Sequence, residues 1–261
     1  MSDHGGVRLA TFNLLHGRSP ADGVVCPDRL RAAVAELDAD VLALQEVDHS
    51  QPRSGLVDQT ALVADALGAR DALFVPALVG TPGQRWRAAG ADEEPRDEPT
   101  YGIGLVSRHP VARWVRIALG TSRATLPLLV DARRPALVRD EPRVALAAVL
   151  EPPAPVGTVV ATHLAFTPGV NVLQLARLAR AVEHLPGPVV ILGDLNMPGA
   201  VPGALLRRWQ TLVRTPTFPT ERPRVQFDHV LAGAGTPPVR DARAVATAVS
   251  DHRALVVDLA A

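Results

Sequence analysis

Short apolar runs rich in β-branched residues recur along the chain, separated by polar or helix-periodic stretches. Residues 7–13, 41–46, 74–79, 102–107 and 113–118 read as strands. Residues 144–150 and 158–163 read as an antiparallel pair joined by the Pro/Gly-rich turn EPPAPVG. Further strands are expected at 189–192, 225–231 and 255–259. Helical spacing predicts a helix over 27–37, with Asp28 near its start and Leu30, Ala33, Val34 and Leu37 on one face. Others are expected at 60–67, ending at Gly68, at 171–185, closed by Pro186 and Gly187, and over the short stretch 201–209. Several hairpins among these strands argue against a purely parallel sheet and for an α/β (α+β) chain of mixed sheets with helices outside. The Gly-, Pro- and charge-rich run 80–100 lacks periodicity and reads as a long surface loop, either functional or a tolerated insertion. Neither a repeat nor a clear linker interrupts the chain, so one domain over 1–261 is expected, with its core at about 7–259.

The 261 residues are 47% hydrophobic and 21% charged, the composition of a globular chain with a large core. No apolar run reaches the roughly 18 residues that would span a membrane. The N-terminal residues lack a basic flank and an apolar segment, so no signal peptide is expected. A single cysteine, Cys26, excludes an internal disulfide and fits a reducing, cytoplasmic setting. The net charge is zero, and every side-chain cation apart from histidine is Arg. That usage reads as genome composition. The neutral balance lacks the basic surface of non-specific nucleic-acid binders, although a local basic groove stays open. A monomer is expected.

Candidate chemistry enters at the strand ends. The run 189–192 stops at Gly193 and then delivers Asp194 and Asn196, two apart on one face. An Asx-rich turn would look the same. The other expected strands also end in polar groups: Asn13, Gln45-Glu46, His163, Asp228-His229 and Asp251-His252. Each alone could be a solvated end, a satisfied core histidine or a turn cap. Six together point to one site. Oxygen donors without a cysteine cluster suit Mg²⁺ or Mn²⁺ and, with His and Asn, metal-assisted phosphate ester hydrolysis. There is no GxSxG elbow and no GxxxxGK[ST] loop, and Cys26 has no evident partner.

In order, TFN, LQEVD, YGIGLVSRHPV, ATHL, GDLN, FDHV and SDHRAL resemble the endonuclease/exonuclease/phosphatase superfamily of DNase I-like metal-dependent phosphohydrolases, in particular its compact bacterial members. The resemblance spans about 7–259. It implies a four-layered α/β/β/α sandwich with two mixed β-sheets and the site at their shared edge. It also implies Glu46, Asn13 and Asp251 on the metal side and Asp194 as the group that positions water. Asn196 and His252 would contact the scissile phosphate, with Asp228 orienting His252 and His163 a phosphate contact or proton donor. Arg108 could line the substrate groove or form a structural ion pair; His16 lies near Asn13 with an open role. Arg53 and Asp58 lie in a loop that could hold substrate, while His229 reads as structural and His109 as surface. The shared motifs leave the leaving group open. Neutral charge and only three Trp, one Tyr and five Phe favour a small phosphodiester or phosphomonoester over a nuclease substrate. A catalytically inactive binding scaffold would be expected to lack several of these residues.

Overall fold

The computed structural model describes residues 6–122, 125–130 and 134–261. In chain order its elements are β1 (Gly6–Asn13), α1 (Pro27–Leu37), β2 (Val41–His49), α2 (Gln59–Leu67), β3 (Asp71–Gly80), β4 (Trp86–Ala88), β5 (Thr100–Ser107) and β6 (Val111–Thr121). There follow β7 (Thr125–Val130), β8 (Arg134–Arg139), β9 (Pro142–Leu150), β10 (Thr158–His163), α3 (Val170–Val182), β11 (Val189–Asp194), α4 (Val201–Leu205), β12 (Gln210–Thr211), β13 (Asp228–Ala232), β14 (Val239–Val245) and β15 (Ala254–Ala260).

One seven-stranded sheet has the order β14-β15-β1-β2-β5-β3-β4, and a six-stranded sheet the order β12-β13-β11-β10-β9-β6. Both are mixed. Each holds one parallel pair at its centre, β1 with β2 and β10 with β11, flanked by antiparallel neighbours. Period-two alternation explains how the layers stack. Leu9, Val41, Ala43, Leu105 and Leu255 face the other sheet, where Leu146, Ala148, Ala161 and Leu192 meet them. The alternate residues Ala10, Phe12, Leu42 and Leu44 turn outward onto Leu30, Val34 and Leu37 of α1 and Leu62 and Val63 of α2. On the far side, Ala145, Ala147, Val160 and Ile191 pack against Leu175, Leu178 and Val182 of α3. Both faces of the central strands are therefore buried, which is why they read as continuous apolar runs. The result is the helix–sheet–sheet–helix sandwich.

Every expected strand and helix has a counterpart, with shifts at the ends. The expected helix at 201–209 is one short turn of five residues, and the helix expected to run to 185 ends at Val182. The run 80–100 is not wholly loop: β4 folds back on β3. The hairpin β7–β8 and the strand β14 were not expected from the pattern.

Candidate active site

Strand direction brings the polar residues to one edge. The parallel strands β1, β2, β10 and β11 deliver their C-terminal ends there, carrying Asn13, Glu46, His163 and Asp194. Their antiparallel neighbours deliver their starts. Asp194 pairs in register with Asp228, the first residue of β13. Asp48 pairs with Tyr101, at the start of β5. Asp251 and His252 lie just before β15, which runs antiparallel to β1. The expectation that all these groups sit at strand C-termini is thus corrected for Asp228, Asp251 and His252.

Local backbone devices aim the side chains. Glu46 sits in an irregularity between Leu44 and Val47 of the β2–β5 pairing, with φ 55°. Asn196 and Ser250 also have positive φ, 50° and 71°. Such conformations are costly for non-glycine residues and concentrate at functional sites. Gly193 lets β11 approach β10: a Cβ there would lie 2.0 Å from the Thr162 carbonyl oxygen. Ser250 Oγ donates to the Asn13 carbonyl (2.6 Å) and accepts from the His252 backbone N–H (3.0 Å), tying the two ends together.

Asn13 bridges two carboxylates. Its Nδ2 donates to Glu46 Oε1 and to Asp194 Oδ2, each at 3.1 Å, while its Oδ1 accepts from the Leu15 N–H. Asp194 Oδ1 accepts from the Asn196 N–H at 2.9 Å. Asp194 Oδ2 faces His163 Nε2 at 3.7 Å and His252 Nε2 at 3.9 Å. Asn196 Nδ2 donates to the Leu164 carbonyl at 3.0 Å and lies 3.3 Å from His163 Nε2, which makes that nitrogen the acceptor. His252 Nδ1 donates to Asp228 Oδ2 at 2.8 Å. The other oxygen, Asp228 Oδ1, is buried without a partner among the described residues.

The two imidazoles sit in opposite states. Burial opposes the charge on His252, but Asp228, Asp194 and Asp251 outweigh it and push the ring up to about 10. Burial and the nearby Arg143 and His252 charges hold His163 well below the ordinary histidine range, so it is neutral. Burial and the neighbouring Asp228 raise Asp194 to about 6, against the lowering effects of His252, Asn196 and Asn13. Burial and the charge of Asp251 raise Glu46 to about 7.

Carboxylates that repel one another across a site offer oxygen donors suited to a hard cation, and the charge of Asp251 raises the Glu46 carboxyl in this way. Asp194, Asp228 and His252 also bring ligand atoms within 4.8 Å of one another. In that trio His252 Nδ1 is bonded to Asp228 Oδ2, which leaves Asp228 Oδ1 as a carboxylate oxygen without a partner among the described residues. The Asn13 amide spans Glu46 and Asp194 and fixes these two carboxylates relative to each other.

Arg108 does not reach this edge. It follows Ser107, which pairs with Val41 at the start of β2, so it lies at the opposite end of the sheet. There it bonds Asp38 at 2.8 Å and the Leu67 carbonyl at 2.9 Å, with Asp40 at 3.7 Å. Its substrate role is replaced by a structural ion pair. His16 is half-buried, and its carbonyl accepts from Gln59 Nε2 at 2.7 Å. Burial and the charges of Arg53 and Arg18 press it down to about 3, so it offers no positive charge. Arg53 is held by Asp48 through bonds of 2.9 and 2.7 Å, and Asp58 caps α2 through the Ala61 N–H. His229 is buried, with Nε2 2.8 Å from the Met197 carbonyl oxygen. His109 is half-buried.

Two residues not singled out by the sequence reading belong beside the site. Tyr101 and Arg143 share a small cavity with His163. Burial and the charges of Glu46 and Glu141 hold the Tyr101 phenol well above its ordinary range, so it stays neutral. Arg143 is 5% exposed; it contacts Asp140 at 3.3 Å, and its Nε has no partner among the described residues. Tyr101 opens the YGIGLVSRHPV segment, so a signal was present at the other end of that motif.

Residues 10–252 match the model of the endonuclease/exonuclease/phosphatase family. No curated protein sequence matches the chain. Among solved structures, an endonuclease/exonuclease/phosphatase from Beutenbergia cavernae DSM 12333 is 25% identical with a TM-score of 0.67; the match covers 97% of this chain and 71% of that one. The mannosyl-6-phosphatase Bt3783 of Bacteroides thetaiotaomicron VPI-5482 shares 14% identity at a TM-score of 0.64, covering 98% and 100%. TDP2 of D. rerio, complexed with a single-strand DNA product, shares 14% identity at a TM-score of 0.59, covering 98% and 99%.

Proposed function

Because the chain belongs to the endonuclease/exonuclease/phosphatase family, whose members are phosphoric ester hydrolases with this DNase I-like fold, we propose that it hydrolyses a small phosphodiester or phosphomonoester by in-line attack of water, with Mg²⁺ or Mn²⁺ as cofactor. The observation that carries this reading is the convergence of Asp194 Oδ2, His163 Nε2 and His252 Nε2 on one point at the sheet edge.

The residues divide the work by charge. Asp194 is fixed by Asn13 and the Asn196 N–H; ionised above about 6, it holds the attacking water and takes its proton. His252 is cationic and locked by Asp228. Its Nε2–H faces the phosphate oxygens and stabilises the charge that grows on them. His163 is neutral and accepts at Nε2, so it contacts the phosphate through a proton on it; a ring held so far below the ordinary range stays unprotonated and has no Nε2 proton to give. Arg143 supplies a buried positive charge beside His163. Glu46, held by Asn13, and Asp251 would hold the cation, which when bound would polarise a phosphoryl oxygen.

The test is release of p-nitrophenol from bis-p-nitrophenyl phosphate and p-nitrophenyl phosphate with Mg²⁺ or Mn²⁺ and with EDTA, beside nicking of supercoiled plasmid. Metal-dependent turnover of the small esters, with slow nicking, supports the proposal. Fast nicking with inert small esters would replace it with a nuclease. Inactivity on all substrates with every metal would favour a binding scaffold.

A further inference from the structure

Two hairpins that the sequence pattern left unread build a groove beside the catalytic edge. The first is β3–β4. Its turn end is held by Gln51, just beyond β2: Nε2 donates to the Gly80 carbonyl at 2.7 Å, and Oε1 accepts from Thr81 Oγ1 at 2.8 Å. The second is β7–β8, inserted between β6 and β9. Its root is held by Asp140, which accepts from Thr167 Oγ1 at 2.7 Å and from Arg143 Nη2 at 3.3 Å. Between them lies a cavity of about 710 Å³, lined among others by Arg85, Trp86, Leu137, Arg139 and Glu141. That volume lies within the range of small-molecule sites.

The groove communicates with the active site through side chains. Glu141 on its wall lies 3.7 Å from Arg143, and Arg143 in turn lines the small cavity shared with Tyr101 and His163. Arg143 thus lies between the groove wall at Glu141 and the His163 side of the site.

Its chemistry is specific. The Arg139 guanidinium lies 4.7 Å from the centroid of the half-buried Trp86 ring, forming a flat cationic shelf. Leu137 is 76% exposed beside it. Arg87, Arg116 and Arg53 nearby are matched by carboxylates, Glu93, Glu94 and Asp48 in turn. Among the described residues neither Arg85 nor Arg139 has such a match. An aromatic surface and two unmatched guanidiniums on one groove ask for a flat ring carrying negative charge. We propose that the Trp86–Arg139 groove binds the distal part of the substrate, and that this part is a nucleobase with its attached anionic group, so that the substrate is a nucleotide or a short nucleotide ester. This rests on the phosphoesterase reading for the position of the scissile phosphate; the groove itself is testable without turnover.

The probe is adenosine 5′-monophosphate, titrated calorimetrically into the full-length protein in EDTA, with ribose 5-phosphate and adenosine as partial ligands. The monophosphate should bind more tightly than either part. Trp86→Ala should weaken it about 5- to 100-fold, the scale of one lost base stack, and Trp86→Phe should restore most of the loss. Arg139→Ala should weaken the monophosphate and ribose 5-phosphate alike, and thermal melts should show both variants folded. Equal affinity for adenosine 5′-monophosphate and ribose 5-phosphate, or an unchanged affinity in folded Trp86→Ala, would overturn the proposal. Because EDTA removes turnover, a failed hydrolysis assay would count against the phosphoesterase reading and leave this result standing.

Discussion

Replacing Glu46 with Gln should stabilise the metal-free protein and abolish its response to metal. In the metal-free fold, burial and Asp251 raise the Glu46 carboxyl to about 7 from an ordinary 4.5. The unfolded chain releases this proton near 4.5, whereas the folded chain holds it until about 7. Between those values stability falls as pH rises, at about 1.36 kcal/mol per pH unit. Above 7 both states are ionised and the fold carries the full penalty, on the order of 3 kcal/mol. Gln removes the charge yet keeps a carbonyl oxygen for Asn13 Nδ2, so the 3.1 Å contact survives. At about pH 8 in EDTA the variant should therefore melt roughly 6–12 °C above wild type. The gain should shrink toward zero as pH falls below about 4.5, where wild-type Glu46 is protonated in both states. Added Mg²⁺ or Mn²⁺ should raise the melting temperature of the wild type and leave the variant unmoved. Circular-dichroism melts over this pH range decide it. A variant that melts at or below wild type in EDTA at about pH 8, or whose gain does not fade on acidification, would refute the electrostatic argument.

Asp194→Asn should lower kcat by about 10²–10⁴-fold while keeping the metal-induced rise in melting temperature; loss of both together would move Asp194 to the cation site. Asp228→Asn should lower kcat on a similar scale with little change in KM, because His252 loses its fixed orientation and its charge partner; steady-state kinetics with wild-type values would remove Asp228 from the site. Arg108→Ala should cost about 1–2 kcal/mol in urea unfolding and leave kcat/KM unchanged; a tenfold fall in kcat/KM would return Arg108 to the substrate groove. Leu146→Ala, in the layer between the sheets, should cost about 2–5 kcal/mol, and a loss below about 1 kcal/mol would mean that the inter-sheet core is less tightly packed than described.

The layers were legible because the central strands are buried on both faces and the helices carry one apolar stripe each. The 3.6-residue spacing of Leu30, Ala33, Val34 and Leu37 placed α1 at its observed bounds. What escaped were elements whose burial does not follow a period. β14 exposes Arg240 and Asp241 at its start and buries none of its residues deeply, so its sequence shows no apolar alternation. β4 is three residues long and mostly exposed, and nothing in its composition distinguishes it from the loop that follows. Both are edge strands, where hydrogen bonding to one neighbour sets the conformation and side-chain burial contributes little.

At the site, legibility depended on strand direction. A residue's chemistry can be read from the chain, but the edge to which it is delivered depends on which way its strand runs. His163 and Asp194 end parallel strands and meet directly, whereas Glu46 is turned to the same edge by the irregularity within β2. For an antiparallel strand the same edge receives the start: in β5 it receives Tyr101, and Arg108 is carried to the opposite end of the sheet onto Asp38. One motif thus held a residue of each edge, and the more strongly charged of the two pointed to the wrong one. Arg143 escaped for the same reason, since it lies at the start of β9, antiparallel to β10. The groove of Trp86 and Arg139 follows from the same geometry. The β7–β8 insertion leaves from this edge and the turn that joins β3 to β4 lies at it, so the groove draws on two separate stretches of sequence, and neither alone shows a site. Where the edge is known, residues at the starts of antiparallel strands and in the hairpins beyond them are therefore the place to look for what distinguishes one substrate from another.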